Sequence, residues 1–236
     1  MAETPRYAHL VTLLFLGSGL VIFVCMAVAG VAAIAKAGRV AKFAAGGAAF
    51  MILSYCVLLF GVALASRDRT LAPGERKYFC EADCHIAYSI EGTQEASTLG
   101  AEAKPITAQG RFVVVRLKTW FDQNSIAPWR GNAPLTPEAR TVQVVDDRGR
   151  RFLPLPLAAA AVYATSTSMT EPLRPGESYS TTFVFDLPMD ARNPRLLIRD
   201  VEPVSRLLVD HENSVLHGKI YLALSPTAST TASAVH

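Results

Sequence analysis

Charge is missing from most of the first quarter of this 236-residue chain. No acidic or basic residue falls between Leu10 and Ala35, and none between Phe43 and Ser66. Two such runs leave no room for a soluble reading, because about 20 apolar residues already cross about 30 Å of hydrocarbon. With no Asp, Glu, Lys, Arg or His in either run, neither supports an ion or proton path through this chain alone. The first run also exceeds the roughly 7–15 apolar residues of a cleavable signal, so it is read as a retained span.

Catalytic signatures are absent too. The chain holds no Gly-x-Ser-x-Gly elbow, no His-Glu-x-x-His, no phosphate-cradling glycine loop and no dinucleotide fingerprint. A net charge of only +3, with the cations scattered, gives nucleic-acid binding no support. The adjacent acids Asp146 and Asp147 flank a turn glycine and read as a solvated hairpin tip. Trp120 and Trp129 straddle a proline-containing loop and read as core and rim aromatics.

What remains divides into four parts: a two-helix transmembrane anchor (1–66), a polar linker (67–77), a β-sandwich (78–224) and a low-complexity, disordered tail (225–236). Within the anchor, small residues recur at four-residue spacing: Ala29, Ala33 and Ala37 in the first span, and Ala41, Ala45 and Ala49 in the second. Gly17, Ser18, Gly19, Gly61 and Ala65 add to them. Small residues let helix backbones approach in lipid. The stripes are expected to zip the hairpin, or in part to dock a membrane-protein partner or a second copy. Lys36, Arg39 and Lys42 argue for a cytoplasmic loop. Arg6, Arg67, Arg69, Arg76 and Lys77 on the other side weigh against it. The sandwich character and a close cysteine pair favour an extracytoplasmic domain.

Beyond the linker the hydrophobic period changes to two. Residues 78–91 read as a strand or strand pair, and 92–109 as a polar connection. In 111–121, Val113, Val115, Leu117, Thr119 and Phe121 share the purer apolar side and are expected to face the core. Short strands follow at 141–145, 151–157, 179–187, 195–200 and 214–224, with a single helical turn at 158–163. This pattern predicts an all-β, antiparallel sandwich. The run LRPGESYSTTFVFDLP (Leu173–Pro188), followed by RLLIRD (Arg195–Asp200), resembles the later strands of bacterial extracytoplasmic immunoglobulin-like domains. The resemblance covers roughly residues 110–200. It implies an immunoglobulin-like antiparallel sandwich held outside the cytoplasm by an anchor in the bacterial inner membrane, with no assigned activity.

One compact constellation could carry chemistry. Cys80 and Cys84, with His85 beside them, offer two thiolates and an imidazole, a donor set suited to copper, zinc or iron–sulfur. His217 and His211 are the histidines that could fold back as a further ligand. The pair is similar to the first half of the copper-A motif of cytochrome oxidase subunit II, another sandwich behind a two-helix hairpin. Where that motif has its next histidine, this chain has Tyr88. The other reading is a local disulfide. Along a flat strand Cys80 and Cys84 would lie about 13 Å apart, so either reading needs the chain to bend at 81–83. Function is therefore expected to be that of a binding or accessory subunit of a membrane assembly. The alternative is a metal-binding or electron-transfer module on Cys80, Cys84, His85 and His217.

Overall fold

The computed structural model describes residues 8–81, 84–100, 105–155 and 166–224, with side chains from Leu10 onward except at 80–84. The expected helical turn at 158–163 and the tail from 225 lie outside these residues.

Two helices come first, α1 (Ala8–Ile34) and α2 (Gly38–Ala65). Lys36 reverses the chain between them with a left-handed φ of 56°. On α1 the sheltered positions are Val11, Phe15, Ser18, Ile22, Cys25, Ala29 and Ala32. They alternate steps of four and three, the knobs-into-holes spacing of a coiled coil. On α2 the seam runs through Ala41, Ala44, Ala48, Met51, Tyr55, Leu59 and Val62. Phe15 and Tyr55 meet across it with ring centroids 6.3 Å apart. The expected stripes therefore split. Ser18, Ala29 and Ala41 lie in the seam, whereas Ala33, Ala37, Ala45 and Ala49 are exposed. A period of 3.5 sets the seam, and a strict four-residue repeat drifts out of it.

Nine strands follow among the described residues: β1 (Arg69–Leu71), β2 (Lys77–Glu81), β3 (Cys84–Leu99), β4 (Ile106–Phe121), β5 (Arg140–Val145), β6 (Arg151–Phe152), β7 (Ser178–Leu187), β8 (Arg195–Asp200) and β9 (Ile220–Ala223). They form a five-stranded sheet in the order β1-β9-β8-β5-β6 and a four-stranded sheet in the order β2-β3-β4-β7. β1 runs parallel to β9 and every other pairing is antiparallel. The architecture is a mixed sandwich, a correction to the purely antiparallel expectation. Leu71 pairs with Leu222 and is fully buried. A three-residue strand that follows Arg67 and Asp68 and itself begins with Arg69 carries too little alternation to be recognised.

The main core fills the space between the sheets. β4 supplies Val113, Val115, Leu117 and Phe121, with Thr119 also buried, on the side its alternation indicates. Phe185 and Leu187 join from β7, and Leu196 and Ile198 from β8. The other side of β4 is not simply solvated, because Phe112 and Val114 pack with Val184, Leu99 and Ala108 in a second cluster. Leu99 and Ala108 belong to a long β3–β4 ribbon. Residues 92–99 and 106–109, read from the sequence as part of a polar connection, pair within that ribbon, with register shifts at Ile90/Gly92 and Ala96/Thr98. Its polar Thr, Gln and Glu residues conceal a strand that is largely exposed.

The motif behind the family resemblance has a mechanical reading. Asp186, next to Phe185 but on the opposite side of β7, accepts from the backbone N–H groups of Gln109 (2.7 Å) and Gly110 (3.1 Å). A Cβ on Gly110 would stand 2.2 Å from the Leu187 carbonyl oxygen, so only glycine fits.

Two compact units emerge: Arg69–Val201 with the chain from Ile220, and the helices to Asp68 with Glu202–Lys219. Boundaries read from the sequence shift accordingly. The linker contributes β1 and Lys77 to the sheets, and 202–219 groups with the helices. Within the expected strand 214–224, only 220–223 pairs.

Candidate functional site

The predicted metal ligands fall in two places. Cys80 lies in β2 opposite His85 of β3, and Cys84 opposite Glu81. The side chains of Cys80 and Cys84 lie outside the described residues, so the disulfide and metal readings of this pair lie there too. His85 is half-buried, and its ring meets Tyr78 edge-on at 6.3 Å. Its backbone is clamped on both sides. The N–H donates to Ser125 Oγ (3.0 Å), and the carbonyl accepts from Asp122 N–H (3.2 Å).

His217 belongs to the unit containing the helices. Its Nδ1 lies 2.7 Å from the Gly218 carbonyl and its Nε2 3.4 Å from Asp210 Oδ1. His211 uses Nδ1 to accept from Asn213 N–H (3.0 Å). Among the described residues, no three His, Cys, Asp or Glu side chains gather as a metal site. The two free cysteines described, Cys25 and Cys56, sit in the helices as expected. A shallow depression of about 370 Å³ on the helices is lined by Ala27, Val28, Val31, Ala32 and Val40. None of those side chains can orient a substrate.

Two charged clusters escaped the sequence reading. The first is buried. Lys77 is 1% exposed, and its Nζ donates to the carbonyls of Ile198 (2.8 Å) and Ile220 (2.9 Å). The β8–β9 ladder ends at Leu197–Tyr221, and these two residues would form the next pair. The ammonium takes over their carbonyls and ties β2 of one sheet to β8 and β9 of the other. The Phe79 ring lies 5.0 Å from Nζ and 4.3 Å from the Arg140 guanidinium carbon. Arg140 in turn pairs with Asp200 across the β5–β8 ladder. This cluster holds the sheets together and presents no open face to a ligand. A faint signal was available, since Lys77 shares the two-residue alternation of Phe79.

The second cluster is the hairpin tip expected to be solvated. Asp147 is exposed, but Asp146 is buried. Asp146 Oδ1 accepts from the N–H groups of Arg148 (3.0 Å) and Arg150 (2.9 Å), and Oδ2 accepts from Arg150 Nε (2.7 Å). Gly149 supplies the turn's φ of 76°. Arg150 and Arg148 continue to Asp190 at 3.0 and 2.6 Å. Burial pushes the Asp146 carboxyl up, but the bonds from Arg150 and Arg148 outweigh it and hold the group below its ordinary value. Asp190 is lowered chiefly by its bond to Arg150.

Both carboxyls bind their protons less tightly in the folded chain than in the unfolded one. Their stabilisation is complete above about pH 4 and drains away as pH falls through the lowered folded values. Asp146→Asn is expected to be less stable than wild type at pH 6 and to close much of that gap at pH 3. Thermal melts of the full chain in detergent check this, and a gap that does not narrow on acidification would exclude the carboxylate as its source.

No protein-family model matches the chain, and no curated protein matches it significantly. Several solved structures match part of the chain. A conserved hypothetical protein from Bacillus anthracis is 16% identical, with 52% of this chain and 84% of that one covered and a TM-score of 0.38. MPT63, a secreted protein from Mycobacterium tuberculosis, is 9% identical, with 66% and 97% covered and a TM-score of 0.43. An uncharacterized β-sandwich protein from Clostridium difficile 630 is 10% identical, with 68% and 96% covered and a TM-score of 0.37. These comparisons lend the copper-A resemblance no support.

Proposed function

We propose that the chain is a membrane-anchored β-sandwich, its helical hairpin spanning a bilayer and its sheets held on the extracytoplasmic side as a binding or accessory subunit of a membrane assembly. One observation carries the reading: the hairpin is apolar on every side. Phe43 is 88% exposed, Ile34 86%, and Phe23 and Phe50 70% each. A helix pair that is hydrophobic all round belongs in lipid or inside a larger protein. The seam between α1 and α2 leaves Ala33, Ala37, Ala45 and Ala49 outward, and that surface suits close approach by another span, from a partner or a second copy.

Alkaline carbonate washing and cross-linking in mild detergent test the two halves of the proposal. Wild type is expected to stay in the membrane pellet and to cross-link into a species larger than the monomer. Ala45→Leu with Ala49→Leu is expected to stay in the pellet but lose that species. Wild type released into the aqueous fraction, or running as a lone monomer, overturns the reading.

A further inference from the structure

Within residues 202–219, where Val209 is buried and Glu202, Arg206 and Asp210 are exposed, several other side chains reverse the places usual in water. Ser205, Asn213 and Ser214 are buried, whereas Val204 is 51% exposed, Leu207 49%, Val215 46% and Leu216 65%. The polar side chains are spent internally. Ser205 Oγ donates to the Glu202 carbonyl (2.7 Å), Asn213 Nδ2 to Ser205 Oγ (3.2 Å), and Ser214 Oγ to the Leu208 carbonyl. This arrangement is costly against water and natural against hydrocarbon.

The segment is also fixed along the last three turns of α2. Tyr55 Oη donates to the Leu207 carbonyl (2.7 Å). Beyond the helix end, Gly218 N–H donates to Ser66 Oγ (2.7 Å) and Lys219 N–H to Asp68 Oδ1 (2.8 Å). Gly218 lies so close to Arg67 that a Cβ there would stand 2.3 Å from its carbonyl carbon. At about 1.5 Å of rise per residue, Tyr55 lies roughly 16 Å along the axis before Ser66. A hydrocarbon layer of about 30 Å that begins at Phe43, beside Lys42, ends about 20 residues later, near Val62. The contact between Tyr55 and Leu207 is then about 10 Å inside it.

Charge lies at both ends of the segment, with Glu202 and Arg206 at the turn beside Tyr55, and Asp210, Glu212 and Lys219 toward the helix end. Lys219 Nζ donates to the Glu212 carbonyl, and His217 reaches Asp210, which ties the acidic part of the segment to the level of the helix end. At the deep end, Pro203 has no N–H, and the residues Pro203–Leu207 form a 3₁₀ turn. Tyr55 covers the Leu207 carbonyl. Arg206, exposed on that turn, has the length to snorkel to phosphate.

We propose that residues 202–219 are a membrane-dipping element, with Val204, Leu207, Val215 and Leu216 entering the bilayer leaflet next to the C-terminal end of α2. The inference rests on α1 and α2 spanning the membrane. The test uses the unmodified full chain in phosphatidylcholine vesicles doped with a phosphatidylcholine that carries a photoactivatable diazirine on its acyl chain. After irradiation and tryptic digestion, peptides 200–206 and 207–219 are expected to carry several-fold more lipid adduct than peptide 141–148 of β5. Peptide 43–67 of α2 is expected to be labelled as well. Adducts on 43–67 without any on 200–219 overturn the inference and leave the anchor standing. Adducts on neither overturn both.

Discussion

Replacing Arg140 with methionine is expected to destabilise the sandwich by about 3–5 kcal/mol, the cost of stranding half of a buried ion pair. The Arg140 side chain is 1% exposed and that of Asp200 10%. Methionine keeps much of the arginine's length against Phe79, so the loss reports charge more than volume. Adding Asp200→Leu is expected to recover most of it, since an apolar pair carries no uncompensated charge. Denaturant unfolding of the full chain in mild detergent, followed by tryptophan fluorescence, measures both variants. A single-variant loss of about 1 kcal/mol or less would place the pair among ordinary surface bridges.

Phe185→Ala is expected to cost a similar amount, about 3–5 kcal/mol, for a different reason. The ring is fully buried in the main core, with its centroid 6.5 Å from that of Phe183. Both sheets frame the hole it would leave, and a β-sandwich has little freedom to collapse around it. The same unfolding measurement applies. A loss as small as the roughly 1 kcal/mol of an Ile→Val change would mean that the core closes over the gap.

How far these features could be foreseen depended on whether burial left a periodic trace. Leu10–Ala35 and Phe43–Ser66 are uninterrupted, and both became helices. β4 and β7 alternate, and β8 was bounded to the residue at Arg195–Asp200. Residues 92–99 and 106–109 were illegible because Thr, Gln and Glu interrupt them and leave no apolar period. Residues 214–219 misled for the opposite reason. Their Val and Leu side chains look like strand material, yet the bonds of Gly218 and Lys219 to Ser66 and Asp68 hold them at the end of α2. Among the candidate ligands, pattern placed Cys80, Cys84 and His85 on a strand pair but could not show that His217 groups with the helices. Lys77 was missed because a buried charge is recognised by its partners, and those lie up to 143 residues away in the chain. Asp146 has local partners, but an aspartate two and four residues before arginines at a turn reads equally well as solvated.

The parallel pairing of β1 with β9 bears on when this fold can form. Arg69–Leu71 is translated directly after the helices, but its hydrogen-bonding neighbour is Ile220–Leu222. Until the ribosome has delivered those last residues, five-stranded closure waits on one of the longest loops the chain can make, and β8 keeps an open edge. Completion of this sheet is therefore late. A nascent chain stalled before residue 220 would present that edge to any chaperone, protease or neighbouring strand that reaches it first.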